Sequence, residues 1–409
     1  MMNKIPKGWE VKKLGEIFNI VRGGSPRPIK SYLTDDKNGI NWIKIGDIET
    51  GSKYITHTKQ KILASGLKKS RAVKAGDLLL TNSMSFGRPY ISKINGAVHD
   101  GWLIFEPKIQ ISKDYVFYFF SSSDTYSKLS NLAVGSTVKN LQINFLENFE
   151  IPLPPLSEQK AIADKLDDSF AKIENAITNL INAKENLKLY KQSVLKSAFN
   201  GDLLPNTSPT NWEVKKLGEI CEKIGDGLHG TPSYNDDGEY FFINGRNISY
   251  PYLIINNNVK RLSSDEALKY KKDFNTHTIF VSINGTLGNI GFYNNEKIIL
   301  GKSVCYLNLK DNVNKYYIFF NLKSNEFLNY ANLKATGSTI KNVSLQAMRN
   351  FEIPLPPLSE QNLIVAEIDR RFAIVDKTLN LIDKSIQNAK NLKQSILKKA
   401  FSGELRSEI

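Results

Sequence analysis

Two kinds of hydrophobic patterning alternate along this chain, and each occurs twice. Over residues 157–200 and 359–402 apolar positions recur at steps of three and four, with no Pro and no Gly, among Ala, Leu, Ile, Lys, Glu, Asn and Gln. That spacing, in residues of good helix propensity, predicts one long helix in each stretch. Elsewhere, over about 9–156 and 212–358, short apolar runs such as GDLLLTN (76–82) and HTIFVSIN (277–284) sit between Gly, Asn and Ser. These runs predict the strands of an α+β domain. Pro154, Pro155, Pro356 and Pro357 end the last strand of each domain. Ser157 and Ser359 are the expected helix N-caps, with Glu158 and Glu360 at the positive helix start. Gly201 and Gly403 are the expected C-terminal stops, and residues 202–211 read as a Pro/Asn/Ser linker.

Within the helical stretches the apolar positions form a seven-residue pattern. It runs Ile173, Ile177, Leu180, Leu187, Val194, Ala198 in the first and Val375, Leu379, Ile382, Ile386, Ala389, Ile396, Ala400 in the second, interrupted at Lys184, Lys191 and Lys393. Such a stripe suits a coiled-coil seam. A helix of this length spans roughly 65 Å, longer than one domain of this size can cover. Each stripe therefore needs another partner, and the other long helix is the expected one, running antiparallel.

The motifs repeat as well. WEVKKLGEI stands at 9–17 and again at 212–220; NFEIPLPPLSEQ stands at 148–159 and again at 350–361. AVGSTVKNL (133–141) matches ATGSTIKNV (335–343), and SVLKSAFNGDL (193–203) matches SILKKAFSGEL (395–405). The chain is thus two copies of one unit, too long for a solenoid repeat. The expected organisation is a globular domain over 1–156, a spacer helix over 157–201, a second domain over 202–358 and a second helix over 359–405. The fold class is α+β, two similar domains with mixed β-sheet and two long antiparallel coiled-coil helices in a pseudo-two-fold arrangement.

Composition narrows the function. The chain of 409 residues is 41% hydrophobic and 23% charged, which suits a globular protein with a real core. Its formal net charge of +14 favours a polyanionic partner. Two cysteines, Cys221 and Cys305, make no disulfide scaffold and are expected as reduced thiols. The opening MMNKIPKGWEVKK lacks the apolar core of a signal peptide, and no apolar run reaches the ~20 residues needed to span a bilayer. The expected location is cytoplasmic, with no membrane partner.

Catalytic signatures are missing. GKS at 301–303 lacks the upstream glycine of a P-loop, and GDGLHG (225–230) and GTLGNIG (285–291) lack dinucleotide-binding spacing. The PP dipeptides lie only in LPPL, so the chain has no (D/N)PPY-like loop of an amino-methyltransferase. His57, His99, His229 and His277 have no Cys or His at metal spacing. The glycine stretches read as turns, and no catalytic or metal residue is assigned.

This repeat resembles the specificity (S) subunits of type I restriction–modification systems. The resemblance rests on WEVKKLGEI, GST-x-KN, and PLPPLSEQ running into a long helix, all duplicated about 200 residues apart. It implies two target-recognition domains that bind the halves of a split target in double-stranded DNA, with helices that separate them and dock methyltransferase subunits. It also implies that catalysis belongs to partners: two adenine-methyltransferase subunits using S-adenosylmethionine, and up to two ATP- and Mg-dependent restriction–translocase subunits. This chain itself would hold no cofactor. Rival readings are a stand-alone DNA-binding regulator, a coiled-coil scaffold without a DNA role, and a fused restriction enzyme.

Stretches alike in both copies cannot distinguish two half-sites, whereas stretches that differ can. The shared GST-x-KN loops offer hydroxyls and a charge suited to phosphate at Ser136 and Lys139, and at Ser338 and Lys341; a tight turn is the alternative. Three differing pairs of loops follow predicted strands: 20–28 with 223–233, 44–48 with 243–248, and 81–90 with 282–291. Arg suits guanine and Asn adenine in the major groove. The base-reading candidates are Arg22, Ser25, Arg27, Asp47, Asn82, Ser85 and Arg88 in the first domain. In the second they are Asp226, His229, Thr231, Arg246, Asn247, Asn284 and Thr286.

Overall fold

The structure is a computed structural model and describes residues 5–49, 51–82, 86–132, 140–205 and 211–405. The chain divides into two compact units, Met1–Leu180 with Asp383–Ile409, and Ile181–Ile382. Each unit therefore owns one end of each long helix.

The first unit holds two five-stranded sheets and a two-stranded ribbon. One sheet has the order Phe18–Arg22, Trp102–Pro107, Leu78–Thr81, Pro89–Ser92, Tyr54–Ile55, antiparallel except at its last pair. Leu78–Thr81 is buried at every residue, as a strand covered on both faces must be. The other sheet is mixed, with Gly96–Val98 parallel to Ile40–Ile43. The ribbon pairs Glu10–Lys13 with Glu150–Leu153, which joins the opening motif to the strand before the helix. The second unit repeats this with four strands (Cys221–Asp226, Val304–Leu309, Thr278–Ser282, Ile290–Phe292), a mixed three-stranded sheet, and the ribbon Glu213–Lys216 with Glu352–Leu355. The predicted strands at 76–82 and 277–284 are Leu78–Thr81 and Thr278–Ser282.

The long helices run Leu156–Asn200 and Leu358–Ser402. They start one residue before the expected serines. The Pro155 carbonyl accepts the Gln159 N–H at 2.9 Å and the Pro357 carbonyl that of Gln361 at 3.0 Å, so the prolines hold the cap position and Ser157 and Ser359 lie in the first turn. Proline suits the place because its missing N–H would be unpaired there in any case. At the other end Gly201, at φ 81°, lets the Asp202 N–H reach back to the Ser197 carbonyl at 2.8 Å, a Schellman closure.

The repeated SEQ triplet is explained by what it ties together. Trp9 Nε1–H donates to Glu158 at 3.0 Å and Trp212 Nε1–H to Glu360 at 3.2 Å, linking the opening motif to the helix start. Gln159 and Gln361 are buried. Each donates to a proline carbonyl (Pro154 at 2.9 Å, Pro356 at 2.8 Å) and accepts a backbone N–H (Ser112 at 3.0 Å, Asn314 at 2.9 Å). Ser112 and Asn314 are in turn N-caps of two aromatic-rich helices, Lys113–Ser121 and Lys315–Leu322. Tyr115 and Tyr317 from these helices donate to the Pro152 and Pro354 carbonyls at 2.7 and 2.6 Å. The buried amides of Gln159 and Gln361 and the hydroxyls of Tyr115 and Tyr317 are all paired, which is the condition for burying them.

The seam lysines are part of the packing. In the first unit Lys393 pairs with Glu174 and sits 5.0 Å from the Phe170 ring centroid. In the second, Lys191 pairs with Asp376 at 2.6 Å and sits 4.6 Å from the Phe372 ring centroid. Both are partly buried, as is Lys184, so the lysine positions continue the stripe. Their stems cover apolar surface while their heads stay paired.

Each domain core is closed by the tail of the other repeat's helix. Leu397, Ala400 and Leu405 belong to the core of the first unit, where Phe401 meets Tyr115 and Phe119 edge-on at 5.2 and 5.4 Å. Val194, Leu195, Ala198 and Phe199 do the same in the second, with Phe199 at 5.4 Å from Tyr317. Leu397→Ala is accordingly expected to cost about 2–5 kcal/mol. Hydrogen exchange should show the loss at Lys113–Ser121, more than 270 residues away in sequence; unchanged protection there would refute the closure.

Cys221 and Cys305 are free and buried, near opposite ends of one pair of strands. Burial pushes the Cys221 thiol up to about 12 and raises that of Cys305 as well. Both thiols should stay unreactive towards a thiol reagent at pH 8 until the chain unfolds. Rapid labelling of the native protein would contradict this.

Candidate nucleic-acid interface

Antiparallel order decides which loops meet. In the first unit Phe18–Arg22 and Leu78–Thr81 end at the sheet edge where Trp102–Pro107 and Pro89–Ser92 begin. Segments 23–27 and 99–101 and residues 82 and 86–88 therefore converge. The Gly23 N–H donates to the Trp102 carbonyl at 2.9 Å, Gly24 to Val98 at 3.2 Å and Asn82 to Gly101 at 2.7 Å. The turn Ile45–Asp47 joins them through the Ile45 N–H, 3.3 Å from His99 Nε2. Gly23 has no substitute here, since a Cβ would lie 2.1 Å from the His99 carbonyl oxygen.

The second unit builds the same edge from segments 226–233, 283–289 and 301–303 and the turn Gly245–Asn247. Gly227 makes the equivalent close approach, its Cβ position lying 2.1 Å from the Leu300 oxygen. The Gly245 N–H donates to Ser303 Oγ at 2.9 Å and Asn289 Nδ2 to the Gly245 carbonyl at 3.3 Å. The repeated GST-x-KN loop is tied to this edge: the Gly285 N–H donates to the Lys341 carbonyl at 2.9 Å, and Asn284 bridges to Asn342.

The predicted residues divide by what their side chains do. Asp47, Asn82, Asn247 and Asn284 are engaged inside the fold. The Asp47 carboxylate and Asn247 Oδ1 close their turns by accepting the Lys44 and Asn244 N–H groups at 3.3 and 3.0 Å. Asn82, 1% exposed, accepts the Leu141 N–H at 2.9 Å, and Asn284 Nδ2 donates to Asn342 at 3.0 Å. Arg27, Arg88, Thr231, Arg246, Thr286 and Ser338 are exposed along the loops. Lys341 is exposed and donates to Asn332 at 2.6 Å. Ser85, Ser136 and Lys139 lie outside the described residues.

Arg22 and Ser25 converge on a residue that sequence reasoning missed. Arg22 Nε–H donates to the Asp100 carbonyl at 2.8 Å, and the Ser25 hydroxyl donates to Asp100 Oδ1 at 2.7 Å. That hydroxyl lowers the Asp100 pKa, so the side chain is a fixed anion at neutral pH. Burial lowers the pKa of neighbouring His99. In the second unit Asp226 pairs with His229 at 2.6 Å. GKS at 301–303 reads in sequence only as a turn and His99 only as an isolated histidine; strand order is what brings segments 99–101 and 301–303 to the edge. Aligning AVHDGW with LGKSV would have shown opposite charges at one position.

Among the described residues no group of His, Cys, Asp or Glu could hold a metal ion, and no helix is long and apolar enough to cross a membrane.

The chain is 27% identical over 443 residues to the type I restriction enzyme EcoKI specificity subunit of Escherichia coli (strain K12), covering 99% of this chain and 91% of that one. It is 28% identical over 430 residues to the StySPI specificity subunit of Salmonella potsdam, with the same coverage. Among solved structures, a chain from work on complex assembly and conformational transition of the type I R-M system matches with a TM-score of 0.73 at 20% identity, covering 97% of this chain and 98% of that one. The HsdS subunit from Thermoanaerobacter tengcongensis matches with a TM-score of 0.61 at 20% identity, covering 98% of each chain. Residues 6–183 and 209–389 each match the family described as type I restriction modification DNA specificity domain, and the chain belongs to that family.

Proposed function

We propose that this chain is the sequence-specificity subunit of a type I restriction–modification complex. Each globular domain, about 1–156 and 202–358, binds one half of a bipartite target in double-stranded DNA. The helices over 157–201 and 359–405 space the domains and help to dock two methyltransferase subunits and the restriction subunits. Methyl transfer and cleavage are the work of those partners, which bind S-adenosylmethionine, ATP and Mg. The observation that carries this reading is the pairing of a shared frame at the sheet edge with divergent letters. Gly23 and Gly227 hold the same backbone approach, while the side chains around them differ. A module that reads two different half-sites needs that combination.

Partner engagement is supported by identical residues that packing does not explain. Val11 is exposed on the first ribbon and Val214 on the second. Buried positions keep their identity for packing, but exposed ones need another reason, and one partner surface engaged twice supplies it.

Exchanging the loops of the first domain for those of a relative should change one half of the methylated sequence in cells and leave the other. If both halves change together, the two domains are not independent readers. Lys341→Ala should weaken binding to all sequences alike and flatten the dependence of log K on log salt by about one unit. An unchanged slope would make that loop a turn without a phosphate contact.

A further inference from the structure

In each unit two places define the middle of the reading edge: the last residue of the incoming strand, and the turn before the strand beside it. In the first unit these hold Arg22 and Asp100; in the second they hold Asp226 and Lys302. The equivalence follows from register. Arg22 pairs with Leu103 and Asp226 with Cys305 in ladders of the same topology, and the close-approach glycines Gly23 and Gly227 come next in each. The order of cation and anion is therefore reversed between the two domains.

The first pair is held in place before any ligand arrives. Arg22 spends Nε on the Asp100 carbonyl at 2.8 Å, which leaves its two terminal nitrogens as donors. Asp100 receives the Ser25 hydroxyl on Oδ1 at 2.7 Å, which leaves Oδ2 as an acceptor. Two donors beside one acceptor match the major-groove edge of a G·C pair, which offers N7 and O6 on guanine as acceptors and the N4 amino group on cytosine as a donor. In the second domain His229 Nε2–H occupies Asp226 Oδ2 at 2.6 Å and leaves Oδ1, while Lys302 is exposed.

We propose that Arg22 and Asp100 together read one G·C pair of the first half-site, Arg22 at guanine and Asp100 at cytosine. Asp226 and Lys302 read a G·C pair set the opposite way round in the frame of their own domain, Asp226 at cytosine and Lys302 at guanine. Asp100 and Lys302 thereby become specificity-determining residues, and the two domains differ in what they read partly through one inverted charge pair. This inference rests on the DNA-reading function proposed above.

The test uses the full chain assembled with its methyltransferase partners and selection from a pool of random-sequence DNA duplexes. Asp100→Asn keeps an oxygen for the Ser25 hydroxyl but puts a donor where Oδ2 accepted. It should reduce the preference at one base pair of the first half-site by roughly 5- to 150-fold and leave the second half-site as it was. Arg22→Asp combined with Asp100→Lys should turn the favoured pair at that position from G·C to C·G. If the double variant does not fold, Asp100→Asn alone decides. Intact preference in Asp100→Asn, or an equal loss on every sequence, overturns the proposal and leaves Asp100 as a loop clamp. Absence of any selected sequence with the unaltered chain would instead overturn the DNA-reading function beneath it; the second half-site is the control within each selection.

Discussion

The structure depends on how its two hydrophobic cores are closed. Each domain covers its aromatic helix partly with its own repeat, through Phe149 and Phe170 in the first and Phe372 in the second, and partly with the other repeat's helix. Tyr115 and Phe119 need Phe401, and Tyr317 needs Phe199. The covering residues come from the last turns of the helix that follows the other domain in sequence. Because apolar burial is the dominant favourable term in folding, the helix from the other repeat adds to the stability of each core. The buried glutamines add direction to this. Gln159 and Gln361 can satisfy both ends of their amides only if the helix leaves its domain at one angle.

A frame secured this way can carry variable loops at little cost. The reading edge lies at the ends of strands whose cores are buried, and its turns are closed by their own side chains, as Asp47 and Asn247 show. Exposed positions such as Arg27, Arg88, Arg246 and Lys302 can then change without disturbing the packing below. Surface substitutions of that kind usually shift stability by no more than about 0.5 kcal/mol. Divergence between the copies is concentrated where the fold tolerates it and where recognition needs it.

Much of this was legible in the residues, for definite reasons. The long helices declared themselves through an unbroken apolar period and the absence of Pro and Gly, and the repeat declared the two domains. The helix start was placed one residue late because a serine is the commoner cap, while the Pro155 carbonyl does that work here. Lys191 and Lys393 read as breaks in the stripe because a sequence shows a charge without its partner; Asp376 and Glu174 lie across the seam, far along the chain. Asn82 and Asn284 stand in turns, and nothing in a turn motif says whether an amide faces outward or, as here, holds the next segment in place. The sequence does not point to Asp100, and it shows Lys302 only inside a turn-like GKS, because strand order, a long-range property, is what carries their turns to the edge.

The central claim is that these two sheet edges contact the two halves of one DNA target. Photocrosslinking measures this directly, with a halogenated pyrimidine placed in one half-site at a time and the attached peptides identified by mass spectrometry. Crosslinks from one half-site should fall within 22–27, 82–88 and 99–101, and those from the other within 226–231, 283–289 and 301–303. Crosslinks from both half-sites into a single domain, or into the long helices alone, would contradict the account.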